Sequence, residues 1–389
     1  MSSGSLGVRA RDIHIDHVRI ALAALVIVFH LTTQYGNVGR WPYQETQSDI
    51  LSQSVYSVPF AIVQAFLMPL WFMVAGYFSA QTISRRGAWS FLAQRAVRLG
   101  VPMLFYDLLV QPTLWYLNGL AAGTETRPLW LYLVQPLFSE GIGSGPLWYL
   151  LELLLFSAVL AGLAARWPDL AARPIGFVPR TRHLIYLGFG IAVLAFVARL
   201  GVPMTQTLTF VNLPLGDLPK HAGLYCAGVL AARGVWLRRM PVMVGAGGLG
   251  ISLGMLAALP PVVAGAFLAE GRLDALAFLG GWSWQAAFYA GWDSFVAVGM
   301  SAAVLVFFRE RLSTPGRLTG LSASAYAVYL IHTPVTVAIG YALSGLAFHP
   351  LVKWLMASLI AVPACFAIAH FILRRIPTLR PLLFSSTSS

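Results

Sequence analysis

Charge is what this sequence has least of. Only 10% of its 389 residues are Asp, Glu, Lys or Arg, where a soluble domain carries about 25%. That deficit excludes an ordinary water-soluble globule. Acidic residues are the scarcer sign, 14 against 26 Lys and Arg. The resulting charge of +12 does not indicate nucleic acid as a partner, because the basic residues are scattered over short loops and no basic face with interleaved aromatics occurs. Cysteine occurs twice, at Cys226 and Cys365, each inside an apolar run. That supports neither a disulfide framework nor a metal site, and both are expected as packed small residues. The first apolar run lacks an A-x-A cleavage site, so it does not read as a removable signal peptide. No repeat of fixed period occurs, and no strong inverted-repeat signature of a transporter.

What the chain has instead is apolar length. It is 58% hydrophobic with a mean hydropathy of +0.73, and runs of about 20 apolar residues recur. Such runs predict an all-α, polytopic membrane bundle of about ten transmembrane helices, read as one membrane domain over 1–389. The spans fall at roughly 16–35, 55–81, 99–120, 146–165, 183–201, 217–233, 242–268, 284–308, 321–346 and 352–373. Most basic residues lie on one side: Arg9, Arg11, Arg85, Arg86, Arg95, Arg98, Arg166, Arg173, Arg309, Arg311, Arg374 and Arg375 among them. The other side holds Arg40, Arg127, Arg272 and Lys353, with a polar connection over Gly36–Ser54. This bias and the even span count predict both termini in the cytoplasm, with lipid as the surrounding partner. The polar tail Ser385–Ser389 is expected to be disordered.

The first span carries the most unusual chemistry. Arg19 stands at its foot and His30 eleven positions on. At about 100° and 1.5 Å per residue, the two share a helix face to within roughly 20°, with His30 roughly 16 Å deeper, near the bilayer midplane. An ionisable group at that depth marks a functional site by default. Asp16, three residues before Arg19, can pair with it. A neutral imidazole can accept a hydroxyl proton, the role that acyl transfer requires.

Other buried groups gather at similar depths: Asp107, Glu152, Asp293 and His332. Their convergence predicts a polar cavity, with a structural helix–helix hydrogen bond as the alternative for Glu152 and Asp293. Trp148 and Glu152, at i and i+4, share a face. Arg95 and Arg98, at i and i+3 and near Arg85 and Arg86, suit phosphate binding as well as simple membrane topology. Asp217, Lys220 and His221 read as a local ion pair at a span mouth. Gly250-Ile-Ser252-Leu-Gly254 matches G-x-S-x-G, but its setting in an apolar run favours close helix packing over a nucleophile elbow.

Five segments in order resemble the acyltransferase-3 family of integral membrane acyltransferases over nearly the whole chain. They are Arg19 to His30 with Asp16 before it, Trp71-Phe-Met-Val-Ala-Gly76-Tyr-Phe, Arg95-Ala-Val-Arg98, Gly145-Pro-Leu-Trp148-Tyr-Leu, and Tyr326-Ala-Val-Tyr329-Leu-Ile-His332-Thr-Pro334. Ala75 replaces the family's usual Ser, and Pro146 its His. The resemblance implies a bacterial inner-membrane O-acyltransferase, with an acyl-CoA, acetyl-CoA foremost, as donor and no metal. The acyl group would be acetyl or succinyl, and the acceptor a hydroxyl of a glycan, lipid-linked sugar or small natural product. It further implies His30, Arg19, Asp16, His332 and Glu152 at the chemistry. Arg95, Arg98, Arg85 and Arg86 would take the donor's phosphates, and Asp107, Trp148 and Tyr329 would line the cavity. A transporter for an anionic solute using the same buried charges is the rival expectation.

Overall fold

The computed structural model describes residues 12–37, 39–45, 50–134, 145–207 and 213–384. Arg9, Arg11 and the tail Ser385–Ser389 lie outside the described residues. The chain is helical throughout its apolar runs, as it must be where lipid offers backbone groups no hydrogen-bond partner. In chain order the principal helices are α1 (Ile13–Gly36), α2 (Ile50–Arg86), α3 (88–121), α4 (Trp148–Arg166) and α5 (Thr181–Gly201). They continue as α6 (Leu218–Gly234), α7 (Val242–Glu270), α8 (Trp284–Arg311), α9 (Ala325–Ser344) and α10 (Pro350–Ala367).

Among the described residues, eight helices are long and apolar enough to cross a membrane. The third and sixth expected spans are helical but built differently. Helix α6 has 17 residues. Helix α3 is a succession in which π-helical turns, Ala96–Gly100 and Tyr106–Val110, interrupt α-helical segments. Such turns recur at functional sites, and these two carry Arg98 and Asp107.

Helix α1 runs through the middle of the bundle, packed on α2, α8, α9 and α10. Its Val18, Ile27 and Leu31 are fully buried. Its foot is tied by Asp12, which accepts a hydrogen bond from the Tyr77 hydroxyl at 3.0 Å and pairs with Arg238. Its far end stops at Asn37, whose φ of 54° is the left-handed cap that Asn tolerates.

Two helix pairs approach on glycine. A Cβ added at Gly76 would lie 2.1 Å from the Tyr225 carbonyl oxygen, and one at Gly228 would lie 2.0 Å from that of Met73. The glycine of the Trp71–Phe78 segment is therefore what lets α2 and α6 touch. In α7, a Cβ at Gly248 would meet the Gly299 oxygen at 2.6 Å, with Ser252 beside Gly299. The G-x-S-x-G segment lies inside this continuous helix, so it serves packing on α8.

Two expectations need correction. Cys365 is buried as expected, but Cys226 is exposed on α6. The connection after α1 is also not a polar loop throughout. It folds back so that Trp41 and Tyr43 are only 4% and 8% exposed, because burying two aromatic rings outweighs the polarity of their neighbours. Glu45 anchors the return. Its N–H donates to the Gln34 carbonyl at 2.9 Å, and its carboxylate accepts from Lys353 Nζ at 3.2 Å. Burial and this carboxylate push the Tyr43 hydroxyl above its ordinary range, and it donates to Glu45 Oε2 at 3.3 Å.

Candidate active site

The His30 and His332 rings meet. Their centroids are 4.9 Å apart with planes 27° off parallel, although the residues come from α1 and α9. Trp41 from the folded-back connection stacks on His30 at 4.2 Å and 16°. Phe29 stands edge-on to His30 at 5.2 Å, and Tyr329 stacks on His332 at 5.6 Å. His30 therefore faces protein aromatics and a second imidazole rather than acyl chains.

His332 is held in one orientation. Its Nδ1 lies against the Tyr329 carbonyl oxygen, an acceptor, so Nδ1 carries the hydrogen and Nε2 keeps its lone pair. Nε2 is buried and has no hydrogen-bond partner among the described residues. A buried polar atom left in this state calls for an explanation, such as a substrate. The Trp41 indole nitrogen is likewise buried without a hydrogen-bond partner among the described residues. Asp107 is buried, its Oδ1 has no hydrogen-bond partner among the described residues, and it is in electrostatic reach of Tyr329. The Tyr329 hydroxyl donates to the Pro146 carbonyl and so joins α9 to the start of α4.

Toward the arginine-rich side, the expected pairing at the foot of α1 is present: Arg19 Nη1 lies 3.6 Å from Asp16 Oδ1. Arg98 is within electrostatic reach of both Arg95 and Arg19. Arg95 Nη2 donates to Ser79 Oγ at 3.3 Å, and its guanidinium lies over the Phe91 ring at 5.3 Å. Arg98 lies 5.6 Å over the ring of Tyr326, whose hydroxyl donates to the Arg98 carbonyl at 2.9 Å. Three cations held this close, without a carboxylate for each, favour a polyanionic ligand. Arg85 and Arg86 are exposed at the end of α2, where Arg86 donates to Gln94 at 3.1 Å.

The remaining buried charges form two further groups. Glu152, fully buried, accepts from His221 Nδ1 at 3.0 and 3.1 Å. Trp148 stacks on the same ring at 5.3 Å, so the two α4 residues sharing a face do converge, on His221 of α6. Asp293 instead joins a network in which Arg199 and Lys220 each reach it at 2.7 Å, and Asp217 takes Arg199 at 3.0 Å and Lys220 at 3.2 Å. The expected Asp217–Lys220 pair is present but belongs to this larger set, and the structural alternative for Asp293 is the one the contacts favour. Sequence reasoning missed Trp41 and the partnership of His221 with Glu152. No periodicity links residues 69 positions apart on different helices.

Comparison with known proteins adds to this geometry. A family described as Acyltransferase domain, the acyltransferase-3 family, matches residues 12–370. The nodulation protein NolL of Sinorhizobium fredii (strain NBRC 101917 / NGR234) is 31% identical over 125 residues, covering 31% of this chain and 31% of that protein. The match thus spans about a third of the length of the curated relative. No solved structure matches.

Proposed function

Because the chain belongs to the acyltransferase-3 family, a family of membrane acyltransferases, we propose that it is an inner-membrane O-acyltransferase. It moves an acetyl or succinyl group from an acyl-CoA to a hydroxyl of a glycan, lipid-linked sugar or small natural product. The observation that carries this reading is the stacked His30–His332 pair, with the His332 Nε2 lone pair fixed, buried and unpartnered. A base in this state is what a hydroxyl needs before it attacks a thioester.

In this reading the donor's phosphates sit at Arg19, Arg95 and Arg98, with Asp16 holding Arg19 in place. Arg85 and Arg86 lie farther out and contribute general attraction. The thioester arm reaches inward past Tyr149, Tyr326 and Tyr329. The acceptor comes from the far side, beneath Trp41. Its hydroxyl oxygen bonds to the carbonyl carbon while its proton passes to the imidazole pair, and the carbon–sulfur bond breaks to release CoA.

The test is thiol release from acetyl-CoA by the full chain in proteoliposomes, together with mass spectrometry of envelope glycans and secreted metabolites with and without the protein. Release that depends on His30 and His332, with an ester-sized mass change, is expected. Uptake of an anionic solute without donor consumption would assign the same charges to transport and sink this reading.

A further inference from the structure

Glu152 and His221 lie apart from the imidazole pair: the resemblance puts Glu152 at the chemistry without naming its step, and His221 has been given none. Four observations bear on what they do. Glu152 is fully buried, and its carboxylate holds His221 Nδ1 through both oxygens. Phe72 and Trp148 stack on the His221 ring at 4.8 Å and 29° and at 5.3 Å and 22°. With Nδ1 occupied and aromatic rings stacked on it, the edge bearing Nε2 is the part of His221 left to act. Finally, groups packed around the ring reach toward the arginines. Tyr225, one turn along α6, is in electrostatic reach of Arg95, and Tyr149, which packs on Phe72 at 4.7 Å, is in reach of Arg95 and Arg19.

We propose that Glu152 and His221 form a second acid–base dyad, in which His221 is the catalytic proton donor to the departing sulfur of the acyl donor and Glu152 is its positioning residue. This rests on the acyltransferase reading. The acceptor oxygen bonds to the carbonyl carbon, and its proton goes to the His30–His332 pair. The carbon–sulfur bond breaks, its electron pair stays on sulfur, and that sulfur takes the proton from His221 Nε2. The products are an ester and a free thiol. The two imidazole sites then differ from their starting states by one proton each, in opposite directions, and reset by exchange with water.

The physical need is solvation. A departing thiolate is well solvated in water, but in a protein interior its charge is costly unless compensated. A carboxylate-held imidazolium flanked by two aromatic faces supplies the proton without itself being an uncompensated charge. The charged and titratable groups around the dyad are Asp217 and Lys220 beside it on α6 and its entrance, Asp293 and Arg199 beyond Lys220, and Tyr225 and Tyr149 toward the arginines.

The experiment compares two donors in proteoliposomes holding the full chain. Acetyl-CoA has a poor leaving thiol, whereas p-nitrophenyl thioacetate has a good one that needs no proton. His221→Gln is expected to lower kcat for acetyl-CoA about 100-fold, with KM within about 3-fold, while losing less than about 3-fold on the activated donor. Glu152→Gln should follow the same pattern, and Glu152→Asp should recover much of the loss. Equal losses on both donors, or none on either, overturn the proposal, since a merely structural role cannot depend on the leaving group. A second readout needs no substrate. In ¹⁵N-histidine spectra of the full chain, the signal absent from His221→Gln should show a strongly hydrogen-bonded Nδ1, and Glu152→Gln should abolish that feature. An unchanged signal overturns the dyad. Wild type that releases thiol from neither donor overturns the acyltransferase reading, and the spectrum then decides the dyad separately.

Discussion

His30 and His332, 302 positions apart in the chain, lie ring over ring at 4.9 Å. In the proposed reaction the two imidazoles act on one substrate as a unit. His332→Ala and His30→Ala should each lower kcat by about 10²- to 10⁴-fold, the range for a positioned general base. The double variant should be little worse than the poorer single one, because members of one catalytic unit do not add. Thiol release from acetyl-CoA, normalised to properly inserted protein, measures all three. A double loss equal to the product of the singles would show that the rings work independently.

Trp41 covers His30 from a segment outside the helices. Trp41→Ala should destabilise the chain by about 3–5 kcal/mol, as large aromatic truncations do, and should raise KM for the acceptor more than KM for acetyl-CoA. Trp41→Phe keeps a stacking ring and should recover most of both losses. Thermal unfolding in detergent and the two KM values check this. Equal changes in both would place Trp41 on the donor's path.

Arg95→Gln and Arg98→Gln each remove a charged donor from the Arg19 group. A charged hydrogen bond contributes about 1.5–3 kcal/mol, so KM for acetyl-CoA should rise about 10- to 100-fold, at 1.4 kcal/mol per factor of ten. Arg85→Gln and Arg86→Gln, on the exposed end of α2, should change it less than about 3-fold, as exposed charges do. Added salt should weaken donor binding in the wild type and have less effect in the Arg95 and Arg98 variants.

Asp293 is the shared partner of two buried cations, Arg199 and Lys220. Asp293→Ala leaves both short of a counter-charge and should cost about 3–5 kcal/mol, read as a lower unfolding temperature in detergent. Donor turnover per folded molecule should stay within about 3-fold. A selective loss of turnover would move this network into the reaction.

The parts legible in the sequence were those set by local spacing. The half-buried His30 above the Arg19–Asp16 foot, the Trp148–Glu152 face, and the close packing around Ser252 follow from helix geometry over a few turns. Which distant helix each would meet was not legible. Asp107, Glu152, Asp293 and His332 were expected around one cavity at one depth. Depth is a single coordinate, and the bundle distributes them around its axis: His332 to His30, Glu152 to His221, Asp293 to Arg199 and Lys220. Trp41 was hidden for another reason. A polar connection gives no sign that it will turn inward, and the anchor that makes it do so, Lys353 on Glu45, comes from the opposite end of the chain.

The π turns of α3 carry a consequence for how that helix can vary. Over the same rise, a π turn holds one residue more than an α turn. Deleting one residue between Ala96 and Gly100 would let the helix close as regular α. The wider turn absorbs that one residue, so the outer half would keep nearly the same azimuth and Asp107 its place near Tyr329. Composition and hydropathy would hardly change. Losing a second residue would exceed what the turn can absorb and swing the outer half by about 100°, so this segment should tolerate loss of one residue far better than loss of two.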